Sequence, residues 1–244
     1  MDERSGQEWL DARFNSITGT DVAKIMGCDD KVSTQKLLTS KLFKLDLMAK
    51  ASDITKDLLT MGTIFEEAAL SAFKLSQISI DGYVPGLSPH PFHSWFCGTP
   101  DFIGLAEDGS HVVVEVKTHF YPSLSEAVPF PQVEAIPLKH WIQVQSYLEI
   151  LDLNVGYLWS WTLYQGATCF RILRDKEWWD NRVFPRISKF WDLMCLFKDM
   201  STLEDVDKIC CSLRWQKGEK MKITDEARER LFETTFQIYN PLVL

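Results

Sequence analysis

Asp101, Glu115 and Lys117 are the residues whose types and spacing most directly suggest chemistry. Glu115 and Lys117 lie two apart in the run His111 to Lys117. On a β-strand that spacing sends both side chains to one face while Val114 and Val116 enter the other. The Asp108-Gly109 turn signal separates this run from Asp101 to Ala106, and folding about it sets Asp101 roughly opposite Glu115 or Val116. Two carboxylates meeting at a strand pair offer hard oxygen donors to a divalent cation, and a lysine adds a compact positive charge beside them. Phosphodiester hydrolysis uses those parts: a cation to hold the phosphate and lower the pKa of water, and positive charge where the transition state gathers negative charge. Taken alone, Glu-x-Lys on a strand is common, and the wet face of an ordinary hairpin accounts for it too. Pro100 makes the pattern more specific by fixing the backbone just before Asp101.

The elements that must position these residues follow from periodicity. Ser5-x-x-Glu8 has the form of a capping box and starts a short helix through Trp9 and Leu10 to near Arg13. Thr18-Gly-Thr-Asp21 opens a second helix with Val22, Ile25 and Met26 on one face and Gly27 at its C-terminal cap. Residues 34–48 and about 54–75 read as helices, the longer one carrying Glu66 and Glu67 in its middle. Ile78 to Val84 and Phe92 to Phe96 read as short strands before the hairpin. Pro137 suits the first turn of a helix bearing Trp141, Val144, Leu148 and Leu151. Strands near 156–163 and 168–173 then precede a helical C-terminal third. The order predicts an α/β (α+β) fold, a mixed central sheet flanked by helices.

Composition sets the outer bounds. The chain has 244 residues, 45% hydrophobic and 25% charged, which suffices for a sizeable core. No repeat or linker divides it, so a single domain over 1–244 is expected, with a core of about 9–175 and a helical extension of about 176–244. A net charge of −8 argues against a protein that coats nucleic acid, which needs clustered Lys and Arg. It does not argue against a nuclease, because bound cations reverse the local field. The uncharged stretch Leu153 to Phe170 contains Asn154, Ser160, Thr162, Gln165, Gly166 and Thr168 and reads as a buried hairpin, not a membrane span. The charged N-terminus and six scattered cysteines without C-x-x-C spacing predict a reduced, intracellular protein.

Pro100-Asp101 followed after thirteen residues by Glu115-Val116-Lys117 resembles the P-D…(D/E)-x-K motif of the restriction-endonuclease-like nuclease superfamily. Flanking anchors narrow the likeness. Gly62-Thr-Ile-Phe-Glu66, Gly98-Thr-Pro-Asp101, Val114-Glu-Val-Lys117 and Trp141-Ile-Gln-Val-Gln145-Ser-Tyr147 stand in the order found in the phage lambda exonuclease and YqaJ-like viral recombinase family. Trp9…Arg13…Ile17-Thr-Gly-Thr20 resembles that family's opening segment. The resemblance runs from about residue 9 to 163.

That resemblance implies a restriction-endonuclease-like core and a role for each matching residue. Asp101, Glu115 and the Val116 carbonyl would hold divalent ions, magnesium with manganese as a substitute. Glu66 would complete the acidic site, leaving Glu67 solvated. Lys117 would orient or activate the attacking water and offset phosphate charge, and Gln143 would help arrange the nucleophile while Gln145 packs elsewhere. Arg13 and Thr20, the latter in place of the family's serine, would bind a 5′-phosphate. A helix N-terminus and an arginine both suit an anion, although Thr18 or Thr20 as a simple cap fits the residues too. The implied activity is 5′-to-3′ digestion of one strand at double-stranded DNA ends, serving viral or phage-type recombination or genome processing. Family members form rings, often trimers, and work with a single-strand annealing protein.

An endonuclease or nickase on the same core, or a catalytically silent DNA-binding module, are the rival expectations. The joint presence of Asp101, Glu115, Lys117, Glu66 and Gln143 weighs against the silent module. His119 and His140 read as surface or supporting residues, and Trp141, Trp159 and Trp191 as core. Trp178-Trp179 cannot both face one core from a regular helix, which would leave one for DNA or another subunit. Arg171, Arg174, Lys176, Arg182 and Arg186 suit either a DNA path or a solvated helix face.

Overall fold

The structure, a computed structural model, describes residues 6–29, 32–47, 52–76, 78, 80–106, 109–120, 123–198 and 218–239. Its centre is a mixed six-stranded sheet in the order β2-β5-β6-β7-β8-β9. The strands are β2 (Asp81–Tyr83), β5 (Phe102–Leu105), β6 (His111–Thr118), β7 (Val155–Thr162), β8 (Gly166–Leu173) and β9 (Thr235–Tyr239). Only β6 and β7 pair in parallel within it. The crossover between them carries helix α5 (Leu138–Ile150), as a parallel connection requires. A smaller sheet joins β1 (Ile17–Thr18), β4 (Phe96–Gly98) and β3 (Ser88–Pro89).

The two faces of β6 separate two cores. Val113 packs with α5 residues Trp141, Val144 and Leu148 and with Leu158 and Phe170. Val114 and Val116 pack with Trp159 and with Ala69 and Phe73 of α4 (Asp53–Lys74) on the opposite side. By the two-residue strand period, Glu115 and Lys117 share the α5 side with Val113. Gly109, at φ 82°, closes the β5–β6 turn in the left-handed conformation that glycine tolerates.

Several boundaries differ from the sequence expectations. Helix α1 covers Gln7–Phe14 with Gly6 at its N-cap and no side-chain cap; Ser5, expected to cap it, lies outside the described residues. Helix α2 (Gly19–Ile25) begins as expected after Thr18. Helix α3 (Thr34–Phe43) stops before Leu45, because Lys44 turns left-handed with φ 49°. Residues 92–95 are not a strand: Phe92 stands 87% exposed in a loop, and pairing begins at Phe96. The stretch 153–170 forms the expected β7–β8 hairpin, with Leu163 and Tyr164 exposed at its turn. No helix among the described residues is long and apolar enough to cross a membrane.

The last third is not wholly helical. After the turn α6 (Lys176–Trp178), α7 (Phe184–Phe197) and α8 (Glu219–Thr234), the chain returns as β9 to extend the sheet beside β8. Both Trp178 and Trp179 are buried, against the expectation that one would face outward. The chain passes into a π-helical turn at Trp179–Val183, which breaks the angular progression of a regular helix. Trp178 therefore packs on Trp141 and Trp179 on Phe96.

Candidate active site

The hairpin register sets the two central carboxylates face to face. Phe102 pairs with Val114, so continuing the antiparallel ladder by one step places Asp101 opposite Glu115 on the same side of the sheet. Asp101 sits just before β5 begins, and its Oδ2 accepts the Val116 N–H at 2.7 Å. The side chain thus replaces the backbone partner β6 would otherwise have there. A strand residue directs its N–H and C=O to the same side, so the Val116 carbonyl faces the edge that Asp101 occupies.

Glu115 is 2% exposed and Asp101 9% exposed. Lys117 Nζ donates to Glu115 Oε1, whereas Glu115 Oε2 is buried without a hydrogen-bond partner. Burial and the facing Asp101 charge push the Glu115 carboxyl up to about 8, with Glu66 contributing least and Lys117 opposing. Burial alone would lower the Lys117 pKa, but Glu115, Asp101 and Glu66 reverse the sign and hold the ammonium above its ordinary value. An ungratified buried carboxylate oxygen amid like charges is where a cation would be most favourable.

Two carboxylates and a neighbouring backbone carbonyl are the oxygen donors that hard divalent ions accept. As the side chains stand, no three His, Cys, Asp or Glu residues gather as a metal cluster among the described residues. Glu66 is half-buried on α4 and is felt at the site through its charge; its neighbour Glu67 is exposed.

Helix α5 supplies the opposing wall. His140, Gln143 and Tyr147 recur at three and four residues, the spacing of one helix face. Gln143 is buried and its Nε2 donates to the Tyr147 hydroxyl at 2.8 Å. Gln145 points elsewhere, bonding the Leu173 carbonyl and the Asp175 N–H. His119 Nε2 lies 2.8 Å from Ser160 Oγ, and the His119 ring packs edge-on against Phe130. Burial and Lys117 pull His119 down to about 4 and His140 well below the ordinary imidazole value. Both histidines are therefore neutral neighbours of the lysine, more enclosed than a surface reading implies.

Arg13 and Thr20 lie on the adjoining N-terminal elements. The Arg13 guanidinium stacks over Trp9 at 4.5 Å and lines a pocket of about 170 Å³ with Asp21 and Lys41. The Thr20 hydroxyl is 3.0 Å from that of Thr18. Asp21 reaches back to the Thr18 N–H and hydroxyl, so part of the helix start is already satisfied. A larger cavity of about 880 Å³ lies between Gly27–Asp29, Pro137–Lys139 and the start of α8, and none of the candidate residues lines it.

Two residues without an assigned role in the sequence reading prove central. Lys41 is buried and bonds Asp21 at 2.6 Å, the Arg13 carbonyl at 2.6 Å and the Ser16 carbonyl at 2.9 Å. Tyr147 meets Gln143 and the backbone before Asp101. Lys41 gave no signal, since a lysine within a helix ordinarily faces water; Tyr147 shared the helix face of Gln143, which could have singled it out. The cations that suited either a DNA path or a solvated helix face mostly have partners within the chain: Arg174 bonds Glu149 and Asp152, Lys176 bonds Glu149 and Asp180, Arg182 bonds Glu226, and Arg186 donates to the Ile25 carbonyl. Arg171 is half-buried on β8.

The sequence model of the YqaJ-like viral recombinase domain matches residues 8–154. No curated protein matches the sequence. Among solved structures, the fold is similar to an alkaline exonuclease (LHK-Exo) from Laribacter hongkongensis, at 17% identity and a TM-score of 0.61, covering 86% of this chain and 100% of the other. The same exonuclease in complex with dAMP matches at 16% identity and a TM-score of 0.53, covering 85% and 97%. A phage-related exonuclease from Haemophilus somnus 129PT matches at 15% identity and a TM-score of 0.53, covering 76% and 96%.

Proposed function

Because this chain belongs to the YqaJ-like viral recombinase domain family, we propose that it is a metal-dependent deoxyribonuclease digesting one strand of linear duplex DNA from its 5′ end. The observation that carries the reading is the facing of Asp101 and Glu115 on one side of the sheet, with Lys117 on Glu115 and one Glu115 oxygen left unsatisfied. Asp101, Glu115 and the Val116 carbonyl would hold the divalent ion, magnesium by kinship and replaceable by manganese, with Glu66 closing the set from α4. Once bound, the ion would polarise the scissile phosphate as a Lewis acid.

The chain's own groups do the rest. Lys117, kept charged by its acidic neighbours, offsets charge on the phosphate and orients the attacking water. Gln143 holds that water from the α5 side. Arg13 and Thr20 receive the 5′-phosphate, and the dAMP bound to the Laribacter exonuclease is a mononucleotide of the kind such digestion releases. Enclosure of the duplex in a trimeric ring would let an acidic chain stay on DNA, and the exposed single strand would pass to an annealing protein. Both follow from kinship. The ends so produced suit viral recombination or genome processing.

The test is magnesium-dependent digestion of linear duplex labelled at either end, run beside closed circles and Lys117→Ala. The 5′ label should be released first, circles should persist, and Lys117→Ala should fold yet turn over at least about a hundredfold slower, the scale of a lost transition-state group. Equal rates for the two proteins would remove Lys117 and this mechanism; cutting of circles would favour the endonuclease.

A further inference from the structure

Tyr147 is 3% exposed, and its ring lies in a notch between two glycines. A Cβ on Gly19 would come within 2.7 Å of the ring, and one on Gly98 within 2.8 Å. Gly19 opens α2 beside Thr20, and Gly98 ends β4, two residues before Pro100-Asp101. The ring therefore touches the element carrying the proposed 5′-phosphate residue and the strand that leads to the metal-binding carboxylate.

The hydroxyl has one proton. It donates to the Thr99 carbonyl over a long 3.4 Å, while the oxygen accepts from Gln143 Nε2 at 2.8 Å. A phenol whose proton is directed elsewhere can only accept from Gln143. The Gln143 carboxamide must then present its NH2 arm to Tyr147 and turn its carbonyl oxygen the other way. Burial, reinforced by the neighbouring Glu115 and Asp101 carboxyls, holds the phenol well above its ordinary pKa, so it stays neutral.

We propose that Tyr147 is a positioning residue for the nuclease reaction: its hydroxyl fixes the orientation of Gln143, so that Gln143 offers a hydrogen-bond acceptor to the attacking water. Its ring keeps α2 and the approach to Asp101 in fixed relation. This rests on the nuclease reading for its purpose, but the orientation of Gln143 can be measured without catalysis.

In the metal-free protein, side-chain NH2 hydrogen exchange of Gln143, followed by NMR on 15N-glutamine-labelled samples, should quicken about tenfold or more in Tyr147→Phe, the scale of one lost hydrogen bond. Unchanged exchange would overturn the proposal whatever the enzyme does. On linear duplex, Tyr147→Phe should lower kcat about tenfold and leave KM unaltered, since the ring and its packing remain. In a Gln143→Ala background the same change should have no further effect. A full additional tenfold loss there, or an unaltered kcat in the single variant, would overturn the coupling. Should Tyr147→Phe fail to fold, 3,5-difluorotyrosine at position 147 keeps the ring and weakens the acceptor; unchanged exchange and kcat in that protein would overturn the proposal equally. A wild-type enzyme that does not cut DNA would refute the nuclease reading and the purpose assigned to Tyr147, while the exchange result would still decide the orientation of Gln143.

Discussion

Asp21 shows how strongly one buried charge can be held. Its carboxylate accepts from the Thr18 N–H and hydroxyl and pairs with Lys41 at 2.6 Å and Lys24 at 3.1 Å. Burial alone would raise its pKa, but Lys41 and Lys24 outweigh burial and hold it far below the usual carboxylate range. A folded pKa below the unfolded one means the unfolded chain binds more protons, so the stabilisation is present above about pH 4 and is lost as pH falls. Asp21→Asn should cost about 3 kcal/mol at pH 7, because it leaves Lys41 buried beside neutral acceptors. Urea midpoints of both proteins between pH 3 and 7 check this, and the gap should narrow toward acid. A gap of constant size would show that shape, not charge, is at stake. The sequence singled out candidate residues whose signals are local: Glu115 and Lys117 through the strand period, Gln143 through a short motif. It could not disclose Lys41, whose partners Asp21, Ser16 and Arg13 lie 20 to 28 positions away in the chain.

Elements with a strong period were legible, and those decided by tertiary contacts were not. The β5–β6 hairpin and α5 follow from alternation, a turn signal and Pro137, and they bring Asp101, Glu115 and Gln143 to one side of the sheet. Strand β9 is short, follows a helix directly and pairs with β8 63 or more residues earlier, so nothing within it announced the sheet. The π-helical turn that buries both tryptophans is equally a product of packing. Two glycines of the recognised motifs test the same distinction. Gly98 has no room for a Cβ between the Tyr147 ring and Ile150, at 2.8 and 3.0 Å. Gly98→Ala should therefore destabilise by about 1–3 kcal/mol through overpacking. Gly62 lies inside α4 with nothing within 4 Å of a built Cβ, so Gly62→Ala should stabilise by up to about 1 kcal/mol. Denaturant melts of both variants decide it, and equal effects would mean that the Tyr147 notch imposes no constraint.

At the scale of the molecule, the net charge of −8 argues against a basic DNA-coating face, and among the described residues Arg174, Lys176, Arg182 and Arg230 are paired with acidic side chains. On the proposed reading, affinity would come from a few sites: a cation held between the carboxylates, Lys117, and Arg13 near the start of α2. A protein that neutralises few phosphates loses affinity slowly with salt. The logarithm of DNA-end affinity against the logarithm of salt concentration should fall with a slope of about −2 to −3, not the −6 or steeper of a coating protein. In the proposed function, Arg13 would make this dependence specific to ends. Arg13→Ala should lower digestion of 5′-phosphorylated duplex about tenfold, the loss of one charge-assisted contact, and leave a 5′-hydroxyl duplex nearly unaffected. Because Arg13 also stacks on Trp9, Arg13→Lys serves as the companion variant, keeping charge but losing the paired donors and the flat stacking surface. Equal losses on both kinds of end would assign Arg13 to holding α1 in place, and the preference for phosphorylated ends would then have to arise elsewhere in the molecule.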